Sequence, residues 1–370
     1  MLLSVLLTLT PIKPTTLEGY FGRQAHAWFL SQVERYDSDL SAHLHYSTIR
    51  LLNKLKEDGY KDYDYLVCLA QKSFNQWFEQ NTNISPKAHE SPQSLLDIIR
   101  HHCSKELNNV DNKICSQLLR QIKANDAELG KKYHRYSQQR PYSISDLWVF
   151  KGGPRGDNGR IHIVPGNECQ LRITSLSKPL SELFLAEIVT NLPQTLRLKQ
   201  VYFKELRLSE ENEWDEVTTY EALAKQAANI LGDSVTFNFA SPTAFRSGQV
   251  DLTLPTPDQV WRSLWWRWNT FAPEELHIDP MWPEFAANCI VVSDFCLRSR
   301  KVSFRNGSKG AATGATGQIT YRLLSEKHCG EFASFRPGAE QVLRTLAGFA
   351  IFSGVGHHTT IGLGQTRWLS

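Results

Sequence analysis

An apolar helix ending in Phe349, Ile351 and Phe352 gives way to Gly354-Val-Gly-His-His-Thr-Thr-Ile-Gly-Leu-Gly364, and no other run constrains the chain as much. The glycines Gly354, Gly356, Gly362 and Gly364 let backbone N–H groups approach an anion, and the side chains of His357 and His358 add donors. Spacing excludes two nucleotide-binding loops. A P-loop needs lysine directly after its closing glycine, and Leu363 follows Gly362. A dinucleotide fingerprint needs glycine where Thr359 stands and follows a strand, whereas this run follows a helix. The competing reading is a plain glycine-rich turn that caps a helix and feeds an edge strand.

At 370 residues the chain exceeds the usual single domain, and its 41% apolar content with ten tryptophans can fill two cores. A net charge of +3 means that a polyanionic partner must be met by a local basic patch. Seven cysteines without a Cys-x-x-Cys pair or a Cys/His cluster at zinc spacing predict free thiols in a cytoplasmic protein, with no metal and no cofactor. The opening residues 1–10 are apolar, but they have no basic leader or cleavage site and end at Pro11. They read as a buried central strand, and no segment is long enough to cross a membrane.

After that strand, residues 20–34 carry an apolar stripe of Ala25, Trp28, Phe29 and Val33 at helical spacing, and Asp37 caps a short helix ending at His45. Strands are expected at 142–150, 160–164, 169–174 and 196–208, with a helix opened by Pro179. Leaving out the middle block, the order is that of a split βαβ unit, a ferredoxin-like βαββαβ domain. Beyond it, residues 220–230 are helical, 234–240 a strand and 258–270 a tryptophan-rich helix. Strands follow at 287–297, 301–305 and 317–324, then a last helix after Pro337 and a closing strand at 365–369. Trp261, Trp265 and Trp268 share one helix face and are expected in the core.

Residues 47–139 differ in kind, with four runs of helical periodicity around Ile49, Leu66, Leu95 and Ile114 and a Ser91-Pro92 helix start.

The run Ser241-Pro-Thr-Ala-Phe-Arg-Ser-Gly248, the tryptophan helix and the closing Gly-Val-Gly-x-x-Thr-Thr-x-Gly-x-Gly-Gln together resemble the CRISPR-associated endoribonucleases of the Cas six family, members of the RAMP superfamily. The resemblance covers both ends and the middle of the chain, not residues 47–139. It implies an α+β fold of two tandem ferredoxin-like domains, here 1–208 and 209–370, the first interrupted by a helical insertion at 47–139. No repeat in the sequence supports that duplication independently. It also implies metal-independent cleavage of precursor CRISPR RNA within its repeats by 2′-OH attack, leaving a 2′,3′-cyclic phosphate and a 5′-OH. The expected partner is repeat RNA, with other CRISPR effector subunits as further candidates, and the expected state is monomer or homodimer. The alternative is a non-catalytic RAMP subunit that binds guide RNA. An unrelated RRM-like protein ranks last, because no aromatic RNP run lies on a strand.

Metal-free RNA cleavage needs groups that move protons near neutrality, and histidine, with a free pKa of about 6.5, suits both directions. Asp37-Ser-Asp-Leu-Ser-Ala-His-Leu-His45 resembles the family's catalytic histidine motif, with Ser38 in place of a proline, so His45 is the first candidate. Its competing role is a helix-end histidine bonded to a local carbonyl. His26 is the second candidate, and its spacing to Phe29, Leu30 and Val33 equally suits a core histidine. For the phosphorane cation, Lys151 in its glycine-rich loop and Arg23 are the candidates. Arg246, Arg298, Arg300, Lys301, Arg305 and Lys309, with the glycine loop at Gly354, Gly356, His357, His358, Gly362 and Gly364, are expected to grip RNA by its backbone. A solvated basic hairpin is the competing reading for the cations at 298–309.

Overall fold

A computed structural model describes residues 1–84, 86, 90–103, 106–149, 160–210, 212–247, 250–304 and 311–369. The chain divides into two compact units, residues 1–29 with 141–370, and residues 30–140.

In the first unit, strand Leu2–Pro11 is buried along its whole length. Its hydroxyls are paired: Ser4 Oγ donates to the Trp214 carbonyl, and Thr8 Oγ1 lies 2.6 Å from Ser209 Oγ. An unpaired buried hydroxyl costs about 1–3 kcal/mol, so this pairing is what allows serine and threonine in a central strand. Cys169–Ser175 flanks the strand on one side, with Val5 opposite Ile173, and Val201–Leu208 on the other, both antiparallel. Tyr142–Ile144 lies outside Cys169–Ser175, and Thr195–Leu198 outside Val201–Leu208. Helix Gly22–Tyr36 follows the first strand, and Lys178–Leu183 with the π-helical turn Phe184–Ile188 follows the third. That is the ferredoxin-like arrangement, with spatial order second, third, first, fourth. Strand Glu216–Thr218 also belongs to this sheet, since it pairs with Leu2–Ser4. The single strand expected at 196–208 is instead a hairpin, Thr195–Leu198 with Val201–Leu208, turning at Lys199 with φ +55°.

The second sheet repeats the same order: Ile290–Ser303, Ala311–Leu323, Ser234–Thr243, Thr366–Leu369. Helices Pro257–Phe271 and Ala339–Ser353 cross it. Trp261 and Trp268 are buried among Phe237, Tyr321 and Phe349, as expected, and Trp265 is partly buried with its indole N–H donated to the Ile278 carbonyl at 3.0 Å.

The strands expected separately at 287–297 and 301–305 are one strand, Ile290–Ser303, and the strand expected at 317–324 already begins at Ala311. Glycine is needed there for room: a Cβ on Gly314 would lie 2.6 Å from the Thr243 nitrogen, and one on Gly317 2.1 Å from the Cys296 carbonyl oxygen. Ile290–Ser303 is an edge strand exposed on both faces over most of its length, so it has no apolar alternation to announce it.

Buried Arg172 joins the two sheets of this unit. It donates to Ser4 Oγ at 2.9 Å, to Gln365 Oε1 at 2.6 Å and to the Ile351 carbonyl, and its guanidinium lies 4.9 Å over the Trp214 ring. Burial lowers its pKa to about 9, still protonated at neutrality.

The second unit is helical: Ser38–His45, Ser47–Glu57, Tyr63–Asn81, Pro92–His102, Leu107–Asn125 and Ala127–Gln138, together with the end of Gly22–Tyr36. Asp37 accepts from Leu40 N at 2.8 Å and Ser91 from Ser94 N at 3.2 Å, the caps expected of those residues. Leu52, Leu55, Phe74, Phe78, Leu96, Ile99, Leu118 and Ile122 fill its core. The unit begins at Leu30 and ends at Arg140.

Candidate functional site

Helix Ala339–Ser353 ends at Gly354, with φ +65°, and Gly356, Gly362 and Gly364 also have positive φ. Most of the N–H groups expected to face an anion are instead bonded within the protein. Val355 N donates to the Gly364 carbonyl, Gly356 N to Ser263 Oγ, His357 N to the Ala244 carbonyl, Leu363 N to the His358 carbonyl and Gly364 N to the Pro242 carbonyl, all at 2.9–3.2 Å. The glycines answer crowding as well as conformation. A Cβ would come 2.3 Å from the Ala244 oxygen at Gly356, 2.7 Å from Tyr20 Oη at Gly362 and 2.1 Å from the Val355 oxygen at Gly364. Arg267 supports the turn from below, donating to the Ser353 carbonyl, to the Gly356 carbonyl at 3.2 Å and to Thr359 Oγ1 at 2.8 Å. Burial lowers its pKa to about 10.

The start of helix Gly22–Tyr36 locks against this turn. Gly22 approaches Ile361 so closely that a Cβ would lie 1.9 Å from its oxygen, Phe21 N donates to Asp146 Oδ1 at 2.6 Å, and Ser145 bridges to Gly362.

Side chains on the rim of the turn form a charged cluster. The His357 and His358 rings lie 4.2 Å apart between centroids, His358 faces Phe304 at 5.7 Å, and the Arg23 guanidinium sits 4.9 Å over the same phenyl ring. Arg246 pairs with Asp251 across a hairpin at 2.7 Å, and His357 Nε2 lies 3.5 Å from that same Asp251 oxygen. Burial, then its neighbour His358, lowers the His357 pKa to about 4 against the opposing pull of Asp251. Burial lowers His358 as well, helped by Arg23 and Arg246 and opposed by Asp251. Both imidazoles are neutral at pH 7, so the standing positive charge of the rim comes from Arg23 and Arg246. The fold brings together Arg246, Arg23 and the glycine loop, and adds Asp251 and Phe304, which the sequence reading did not name. A hairpin pairing Arg246 with Asp251 is the only local signal that would have found Asp251.

Arg298, Arg300 and Lys301 are exposed on the edge strand Ile290–Ser303, the two arginines on one face and the lysine on the other. Lys151, Arg305 and Lys309 lie outside the described residues. Among the described residues, no group of three or more His, Cys, Asp or Glu is placed to hold a metal ion, and no helix is long and apolar enough to cross a membrane.

His26, in the first unit, has Nε2 2.8 Å from Tyr142 Oη, with the two rings stacked. The contact gives this half-buried histidine a partner in the sheet.

In the helical unit, His45 is the last residue of Ser38–His45, and Tyr46, in extended conformation, joins that helix to Ser47–Glu57. Its ring is partly buried and meets Tyr46 edge-on at 4.9 Å. Burial, then Arg100 and Arg140, lowers its pKa to about 4, so the ring is neutral at pH 7. Arg100 is held by both Glu34 oxygens at 2.6 Å. Tyr46 Oη donates to Asp97 at 2.8 Å. His43, two residues before His45, is lowered by burial and by Arg140, and its Nδ1 lies 3.2 Å from Asn53 Nδ2.

No curated protein matches the chain. Residues 237–366 match the family model of the CRISPR-associated endoribonuclease Cas6. Two structures of a Thermus thermophilus Cas6 share the fold. A product complex has TM-score 0.59 at 20% identity over 100% of both chains, and a second structure has TM-score 0.52 at 19% identity over 100% of this chain and 98% of the other. The family match spans the Arg246 hairpin, the tryptophan helix and the glycine loop, the elements whose geometry forms the rim, and it is over these residues that the chain is similar to the Cas6 family.

Proposed function

We propose that this protein is an endoribonuclease that cuts precursor CRISPR RNA within its repeats and releases guide RNAs. The observation that carries the reading is the endoribonuclease family match over residues 237–366. The ribose 2′-oxygen forms the new bond to phosphorus while the P–O5′ bond breaks and the leaving 5′-oxygen takes up a proton from solvent, and the products are a 2′,3′-cyclic phosphate and a 5′-OH. This route draws its nucleophile from the RNA itself and is proposed to run without a metal ion.

His45 takes the 2′-OH proton in this scheme. Burial and the nearby guanidinium groups lower its pKa to about 4, so in the free protein the ring carries no extra proton to donate at pH 7, which supports the base role over the acid role. Arg246, Arg298, Arg300 and Lys301 grip the backbone of the repeat, and the glycine turn supports Arg246 from behind through the Ala244 and Asp251 contacts.

The test is incubation of the purified protein with its repeat RNA in EDTA, beside His45→Ala and a substrate carrying hydrogen for the 2′-OH next to the scissile phosphate. The reading expects one cut in the wild type, loss of cleavage with retained binding in His45→Ala, and no cut in the deoxy substrate. Cleavage of the deoxy substrate refutes the chemistry. Binding without turnover refutes the enzyme and supports a guide-RNA-binding subunit.

A further inference from the structure

Ile290–Ser303 forms one edge of the second sheet, so one side of its backbone carries N–H and C=O groups that no described strand meets. Both ends of that edge are blunted. The register slips between Val292 and Asp294, which makes Ser293 a bulge, and Arg300 and Lys301 crowd the far end with like charge. Between them residues 294–298, Asp-Phe-Cys-Leu-Arg, pair regularly with the neighbouring strand.

Phe295 is 66% exposed, and it lies with partly buried Leu297 on the face that bears the core residue Ile319. Asp294, Cys296 and Arg298 are exposed on the other face, opposite Thr320, Gln318 and Thr316, none of them charged. Four residues along a strand span roughly 13 Å, so Asp294 and Arg298 of one chain cannot meet each other.

The five residues are complementary to themselves. When a second copy pairs antiparallel about a two-fold axis at Cys296, Asp294 faces Arg298 twice, and on the opposite face Phe295 faces Leu297 twice. Opposite charges and apolar pairs are the cross-strand partners that stabilise a sheet. Moving the axis to Leu297 sets Asp294 opposite Arg300 but turns Cys296 to Arg298 and Phe295 to Ser299. Moving it to Phe295 leaves Asp294 opposite Cys296 and Arg298 opposite Val292. Of these registers, only the one centred on Cys296 meets both charges and both apolar side chains.

We propose that the edge 294–298 is a homodimer contact, in which two copies of this chain join their second sheets in that register. The contact is small beside the about 20–30 residues a side of a standard interface, so association is expected in the micromolar range. Arg298 keeps donors for RNA, because a guanidinium has more N–H groups than one carboxylate uses.

Sedimentation equilibrium of the full chain without RNA compares wild type, Asp294→Arg, Arg298→Asp and the double exchange. Each single exchange sets like charges opposite each other at both pairs and should weaken the dimer on the order of 10–100-fold. The double exchange restores opposite charges in reversed order and should recover the dimer. Both positions are exposed, so the variants keep the fold. Cys296 supplies an independent readout, since the two-fold axis sets it opposite its own copy within disulfide reach. In a Cys68→Ser, Cys103→Ser background, which removes the other accessible thiols, oxidised glutathione should join two Cys296 thiols in an intermolecular disulfide and leave as reduced glutathione. Cys296→Ser should abolish that cross-link.

A wild type that stays monomeric at concentrations on the order of 100 μM overturns the proposal. A dimer that neither single exchange weakens lies on another surface and also overturns it. Dimer lost in the single exchanges and not recovered in the double one refutes the pairing. A monomer whose repeat-RNA affinity falls in Phe295→Ala assigns the exposed ring to RNA and overturns the dimer.

Discussion

Replacing Gly356 by alanine separates two reasons for a glycine in the C-terminal turn, the internal packing of the protein and close approach by RNA. The residue has φ +81°, and both its backbone groups are engaged, the N–H with Ser263 and the carbonyl with Arg267. Forcing an L side chain into left-handed conformation costs roughly 1 kcal/mol. The new Cβ would lie 2.3 Å from the Ala244 oxygen, which also accepts the His357 N–H at 3.0 Å. Relieving that overlap displaces backbone, at an overpacking cost of about 1–3 kcal/mol. The expected total is about 2–4 kcal/mol, read by urea unfolding through the fluorescence of the buried tryptophans Trp261, Trp268 and Trp282.

Gly338→Ala is the internal control. Its φ is +83° and no atom lies within 4 Å of a built Cβ, so it carries the conformational cost without the overlap. If both alanines cost the same, crowding against Ala244 is not what requires glycine at 356. If Gly356→Ala changes stability by less than about 0.5 kcal/mol, within the range of neutral surface substitutions, while repeat-RNA affinity falls, the packing argument is refuted.

The lowered histidines make acid stability informative. His43, His45, His357 and His358 all sit below the usual 6.5, His45 and His357 at about 4, so the unfolded chain binds more protons in that interval. Their contribution is complete above pH 6.5 and lost as pH falls toward 4. The urea midpoint should therefore decline across that window, less steeply in the His45→Ala, His357→Ala double variant, and a midpoint that rises on acidification contradicts the assignment. The edge-strand cations predict a salt effect. If Arg298, Arg300 and Lys301 each meet a phosphate, their joint replacement by alanine flattens the slope of log affinity against log salt by about 2, at roughly 0.7 per contact. Filter binding across a salt series measures it, and an unchanged slope excludes them from the RNA contact.

How much of this the sequence carries depends on whether a residue's role repeats along the chain. Leu52, Phe74, Ile99 and Leu118 recur with helical period between the caps Asp37 and Ser91, and the helical unit follows from them. Strand Ile290–Ser303 has no buried face to alternate with, so its length and the conversion of the following glycines into strand are invisible to pattern. The glycine turn is legible as a turn but not in its purpose, because a glycine required by the Ala244 carbonyl and one required by a ligand are written with the same letter. The electrostatics of His45 are the hardest to read. Its motif lies within nine residues, yet the ring's charge state is set by burial, then by Arg100 and by Arg140, the latter 95 positions away at the far end of the same helical unit. A histidine motif thus marks a candidate, while the protonation state of its ring is decided by burial and by cations that only the fold supplies.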